Sequence, residues 1–218
     1  MKYESLIFDI DGTLWDSRAL VAEGYNIQLR KEGLDHLCVD AETLRPLFGK
    51  VMTEIADAIL ESIPVPERYE VMDRCMQTEN DYLFANECRI GYPNVQETFR
   101  ELAKKHRLFI VSNAQCGYPE LCIDKLGLGE YVQGHMCFGD TGTSKGKTIR
   151  TLMAKHGIES CIYIGDTQGD LEACQEAGIP FIFCSYGLGQ AESYDAKIDS
   201  IDELLTLKIH ISERKYLL

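Results

Sequence analysis

Residues 6–14 read LIFDIDGTL, and the reading of this stretch decides the fold. Leu6, Ile7 and Phe8 form a short apolar run that ends on Asp9; Asp11 follows one residue later, and Gly12 permits a tight turn. Residues 6–9 therefore read as a buried strand delivering two carboxylates to a loop. Three more apolar runs end in polar or glycine-bearing loops, at 108–113, 161–166 and 180–187. Between the later runs lie helical patterns, at 95–105 with Val95, Phe99, Leu102 and Ala103, and at 147–156 with Ile149, Leu152 and Met153. Alternating strand and helix predict an α/β fold, a doubly wound parallel sheet. The piece at 131–138 adds a strand, with Gly134 and His135 diluting its pattern.

The alternation stops between residue 16 and about residue 87. No strand pattern occurs there, and 17–31, 41–47, 52–62 and 67–84 read as helices. IGYP at 90–93 is a turn signal, after which the alternation resumes. The expected organisation is a core of residues 1–15 and 88–218 with an all-helical insert at 16–87. Ligands of open parallel sheets bind beyond the carboxyl ends of the strands, so an insert emerging after residue 15 covers the site. The end of the chain, IHISERKYLL at 209–218, is mixed in character and yields no reading.

Composition narrows the partners. The 218 residues are 45% hydrophobic and 26% charged, an ordinary globular mixture. With 22 Lys and Arg against 35 Asp and Glu, the net charge is -13. Attraction to nucleic acid or to an anionic membrane is disfavoured, and a small substrate is favoured. An anionic substrate would need local positive charge from a metal ion, a lysine or backbone amides. Nine cysteines without a CxxC pair argue against a disulfide framework or zinc cluster, and imply a reducing, cytoplasmic setting. The charged amino terminus does not resemble a signal peptide, and no run approaches the roughly 20 apolar residues of a membrane span.

Asp9, Asp11, Asp166 and Asp170 all fall at or just past predicted strand ends. Four carboxylates in one cleft need a cation, and an oxygen-only donor set favours a hard ion that keeps waters, Mg2+ first. Asp9 suits nucleophilic attack on phosphorus, and Asp11 suits proton transfer to the leaving oxygen and then from water. Ser112 and Asn113 close the strand LFIVSN, where a hydroxyl can donate to a phosphoryl oxygen. Lys145 or Lys147, in TGTSKGKTI, supplies the missing positive charge.

In this order, Asp9-x-Asp11-Gly12-Thr13-Leu14, Ser112-Asn113, a lysine, and Gly165-Asp166-Thr167-Gln168-Gly169-Asp170 resemble the haloacid dehalogenase superfamily over nearly the whole chain. The resemblance implies a phosphatase, because true dehalogenases lack the second aspartate that Asp11 provides. It also implies a Rossmann-like core with magnesium bound by Asp9, Asp166 and the backbone carbonyl of Asp11, and Asp170 nearby. Phosphate contacts then fall to Gly12, Thr13, Ser112 and Asn113, and the lysine role registers on Lys145 although the Lys-Pro-x-Pro form is absent. The helical insert resembles the cap of phosphoglycolate phosphatase-like members, in which a Gly-x turn points at the active site; Phe48-Gly49-Lys50 stands there, with Lys50 meeting an anionic substrate group.

A lone DxDG is more often a turn than a site. Its joint occurrence with GDxxxD after a second strand favours chemistry. Gly187 and Gly189 read as turn glycines, and Trp15 as a residue that gates the site or packs at the base of the cap. The expected function is hydrolysis of a small phosphate monoester, with phosphoglycolate, a sugar phosphate and a nucleotide all open. A phosphomutase shares the same aspartates. A non-catalytic phosphate-binding or regulatory protein is disfavoured by Asp11, since binding alone needs no proton shuttle.

Overall fold

A computed structural model of the protein describes residues 3–87 and 90–207. Cys88, at the expected return to the core, and the 209–218 segment lie outside the described residues. In chain order the elements are β1 (Ser5–Phe8), α1 (Arg18–Lys31), α2 (Ala41–Leu44), α3 (Met52–Ile59), α4 (Glu67–Ala85), α5 (Val95–Leu102), β2 (Arg107–Ser112), α6 (Tyr118–Lys125), β3 (Val132–Cys137), α7 (Phe138–Thr141), α8 (Lys145–His156), β4 (Cys161–Gly165), α9 (Gln168–Ala177), β5 (Phe181–Cys184) and β6 (Ala196–Ile198).

The six strands form one sheet in the order β3-β2-β1-β4-β5-β6, every pair parallel. β1, β4 and β5 are buried along their whole length, which is why each reads as an unbroken apolar run. Successive side chains leave the sheet on opposite faces. Leu6, Phe8, Ile110 and Ile164 pack on one side with Val95, Phe99 and Leu121 of α5 and α6. Ile7, Phe109, Val111 and Tyr163 pack on the other with Ile149, Leu152, Leu171 and Cys174 of α8 and α9. The sheet is therefore doubly wound, and the connections change face where the strand order reverses, between β1 and β4.

The expected strands at 6–9, 108–113, 161–166 and 180–187 appear as β1, β2, β4 and β5. The diluted strand at 131–138 is β3, an edge strand only partly buried, where a glycine and a histidine are tolerated. β6 has three residues and no readable pattern. The expected helix 41–47 is interrupted: α2 stops at Leu44 and Pro46 tightens the chain into a 3-10 turn, Arg45–Leu47. The helix expected at 147–156 begins two residues sooner, at Lys145.

Between Asp16 and Glu87 the described chain contributes no strand to the sheet; α1 and α4 lie along one another with α2 and α3 beside them. The two crossings between helices and sheet are tied together. The Asp16 N–H donates to Ile90 O at 3.0 Å, and the Tyr92 N–H donates to Leu14 O at 2.9 Å. Among the described residues, no helix is long and apolar enough to cross a membrane, and the eight described cysteines are free thiols.

Candidate active site

Asp9 follows the last residue of β1, and Asp166 follows the last residue of β4. These neighbouring strands flank the reversal point of the sheet, the place where such folds bind ligands. Asp9 and Asp166 are 1% and 0% exposed, and together with Asp170 they offer carboxylate oxygens within 4.8 Å of one another. Burying like charges side by side is costly, and the protein offsets it with one lysine. Lys145 Nζ donates to Asp9 Oδ1 at 3.0 Å and to Asp170 Oδ1 at 2.7 Å. Lys145 is buried, whereas Lys147, on the same helix, is exposed, so the geometry chooses between the two candidates.

The motif GDTQGD is held by a capping box. Thr167 Oγ1 accepts the Asp170 N–H at 3.1 Å, while Asp170 Oδ2 accepts the Thr167 N–H at 3.0 Å and the Thr167 hydroxyl at 2.7 Å. The cap is a local stability device worth about 1 kcal/mol. It also fixes Asp170 so that Oδ1 meets Lys145. Asp166 is held differently: Oδ2 accepts the amides of Leu188 and Gly189 at 2.7 and 3.2 Å, and Oδ1 is buried with no hydrogen-bond partner. The loop after β5, read from sequence as plain turn glycines, thus presents amides to the site. Gly12 has φ +77°, and a Cβ there would stand 2.1 Å from Asp166 Oδ2, so the glycine of the first motif is the condition for Asp166 to come close.

Burial pushes the Asp9 carboxyl well above its usual range; Lys145 pulls it back, and Asp170 and Asp166 push it further up. Asp166 is raised to about 7 by burial and by Asp170, against the pull of the Leu188 and Gly189 amides. Burial alone would lower the Lys145 ammonium, but Asp170 and Asp9 more than reverse this. An ammonium between two carboxylates stays charged. A buried acidic cluster with one unsatisfied oxygen and raised pKa values fits a hard divalent cation, which would supply the charge the cluster lacks.

Asp11 is half-buried and clamped through one oxygen. Its Oδ1 lies 2.8 Å from Trp15 Nε1, 2.9 Å from Ser17 Oγ and 2.8 Å from the Tyr118 hydroxyl. The Trp15 and Tyr118 rings meet edge to face with centroids 5.4 Å apart. Burial raises the Asp11 carboxyl and these hydrogen bonds, Tyr118 first, restrain the rise. These three hydrogen bonds all fall on Oδ1 and leave Oδ2 outside the clamp. Trp15 thus packs and also orients; Ser17 and Tyr118 were not legible, because no motif distinguishes a serine before α1 or a tyrosine opening α6.

The structure brings Ser112 to a small cavity beside Asp9 and Asp11, where its Oγ accepts the Ala114 N–H at 3.3 Å. Asn113 lies at the same place but points its amide at the helical region, donating to Gly49 O at 2.7 Å. The 48–50 turn therefore sits on the end of β2. Lys50 is exposed and lines both this small cavity and a wider cleft of about 800 Å3 that also reaches Lys145. Gly12 and Thr13 are not brought to either space. Their amides close the turn onto Trp15 O and Ile10 O, and Thr13 is buried with an unpartnered hydroxyl.

Residues 6–184 match the sequence profile described as haloacid dehalogenase-like hydrolase. A phosphoglycolate phosphatase of Aquifex aeolicus is 27% identical, the match covering 84% of each chain. A 5'-nucleotidase of Pseudomonas aeruginosa is 23% identical over 90% of this chain and 89% of its own. The solved structure of a predicted phosphoglycolate phosphatase from Haemophilus somnus superposes with a TM-score of 0.80, at 19% identity, covering 94% of this chain and 98% of the other. Relatives at comparable distance thus carry names for different leaving groups.

Proposed function

The chain belongs to the haloacid dehalogenase-like hydrolases, and from that premise we propose a magnesium-dependent phosphatase that hydrolyses a small phosphate monoester through an aspartyl-phosphate at Asp9. The observation that carries this reading is the buried, unpartnered Asp166 Oδ1 within a three-carboxylate cluster balanced by one lysine. The names of relatives, phosphoglycolate phosphatase and 5'-nucleotidase, support phosphate esters as the substrates.

Asp9, Asp166 and the Asp11 carbonyl would hold Mg2+, with Asp170 serving from behind through Lys145. When bound, the ion draws charge from the phosphoryl oxygens and steadies the in-line displacement. Asp9 attacks phosphorus while Lys145 balances its charge and Ser112 hydrogen-bonds a phosphoryl oxygen. Asp11 gives a proton to the departing oxygen, then takes one from the water that opens the acyl phosphate. Lys50, at the mouth of the cleft, draws the anionic substrate inward. Residues 16–87 act as a cap, latched by Asn113 on Gly49, that excludes bulk water during transfer.

The test is phosphate release from para-nitrophenyl phosphate. Turnover is expected with magnesium, to stop on chelation, and to fall by about 10³ or more in Asp9→Asn, since no nucleophile remains. Undiminished turnover in Asp9→Asn sinks the assignment.

A further inference from the structure

One buried acid is left without a task by this chemistry. Glu79, on α4, is 2% exposed, its Oε2 has no hydrogen-bond partner, and it lines the same small cavity as Asp9, Asp11 and Ser112. Its position is forced by packing. α1 crosses α4 at Gly24, where a Cβ would stand 2.7 Å from Glu79 Cα, so the backbones are in contact. The other buried positions on α4, Val71, Met72, Cys75 and Leu83, are apolar or weakly polar core residues. A carboxyl at that place is costly unless something arrives to meet it. Burial, and the Asp11 charge after it, raise Glu79 to about 8, and the nearby Tyr25 hydroxyl and Gln115 amide restrain the rise.

We infer that Glu79 selects the leaving group: its free Oε2 receives a hydroxyl of an uncharged, hydroxyl-bearing alcohol, so the substrate class is a short polyol monophosphate. This rests on the phosphatase reading above. A hydroxyl both donates and accepts, so it satisfies Oε2 whether or not the acid holds its proton. A carboxylate leaving group would add a negative charge beside three acids, Glu79, Asp9 and Asp11, with Lys50 the one cation among the residues lining that space. An ammonium would suit only the ionised form, which the surroundings disfavour. Other residues lining the same space agree with a neutral polyol: Tyr25, Gln115 and Tyr118 are uncharged hydrogen-bonding groups, and Val21 and Ile55 are apolar.

A matched set of substrates tests this: glycerol 1-phosphate, propyl phosphate of the same length without hydroxyls, and phosphoglycolate. The unsubstituted protein is expected to favour glycerol 1-phosphate over each of the others by about tenfold or more in kcat/KM, because a site built for a hydroxyl rejects its absence. Glu79→Leu is expected to lose that preference, and Glu79→Gln, which keeps donor and acceptor, to retain most of it. Each preference is a ratio within one preparation, so partial unfolding cancels, and the unsubstituted protein tests the idea without any substitution. Preference for phosphoglycolate or propyl phosphate, or a preference that survives in Glu79→Leu, overturns the proposal. Hydrolysis of para-nitrophenyl phosphate with none of the three turned over overturns it while leaving the phosphatase intact. Failure on every ester, aryl phosphate included, overturns the phosphatase itself.

Discussion

Asp170 and Glu79 are both carboxylates at or near zero exposure, 0% and 2%, Asp170 in the acidic cluster with Asp9 and Glu79 in the cavity that Asp9 also lines. Asp170 is saturated: Lys145 holds Oδ1, while the amides of Asp166 and Thr167 and the Thr167 hydroxyl hold Oδ2. Glu79 has Tyr25 and Gln115 nearby, and its Oε2 has no hydrogen-bond partner. The first acid is fixed by its own helix start and a rigid sheet. The second stands on α4, lining a cavity beside Asp9 and Asp11. Chemistry that must be identical at each turnover is built from backbone-anchored contacts; recognition is left to groups still waiting for a partner.

The strongest way to break the saturated side is to remove its cation. Lys145→Met leaves Asp9, Asp166 and Asp170 without their balancing charge, and kcat is expected to fall by about 10² to 10³. Steady-state assays on para-nitrophenyl phosphate check this, and a loss under threefold contradicts the role. A smaller effect is expected from Tyr118→Phe, which frees Asp11 Oδ1 from one of three donors. We expect about a tenfold drop in kcat with KM little changed, as for an interaction made mainly in the transition state. An equal rise in KM would mean that Tyr118 binds substrate instead of orienting Asp11.

The smallest effect sharpens the empty side. Glu79 is raised from 4.5 to about 8 in the folded protein, so folding favours its protonated form. Its contribution is fully present below pH 4.5 and is lost as pH rises through 8. Glu79→Gln has no such loss. Its Tm is expected to exceed that of the unsubstituted protein by about 5 °C at pH 8.5, with the difference shrinking towards pH 5. Thermal melts at the two pH values measure this, and a constant difference would remove Glu79 as the titrating group.

The parts of the site that were legible lie on strands buried on both faces. LIFD and CIYIGD are apolar runs that stop at a carboxylate, so position and chemistry are written together. Lys145 was legible as one of two candidates, and only burial separates it from Lys147. Asn113 was read as a phosphate contact, whereas its amide in this closed arrangement holds Gly49. Glu79 left one trace, a charged residue at a position where the spacing of Val71, Cys75 and Leu83 calls for an apolar one. That trace is weak, because long acidic side chains on helices usually turn to solvent. The amides of Leu188 and Gly189 left none, since a backbone donor has no residue type.

The sequence by itself determined the alternation of strand and helix, the helical insertion after residue 15 and the carboxylates at the ends of β1 and β4. These follow from local periodicity and from short spacings that no later packing can rearrange. The tertiary structure decided which lysine is buried, which hydroxyls clamp Asp11, which amides reach Asp166, and that an acid from α4 lines the cavity beside Asp9 and Asp11. Each of these pairs residues distant along the chain, Asp11 with Tyr118 or Asp166 with Leu188, and such pairs exist only once the sheet has formed and the helices of residues 16–87 have packed beside it.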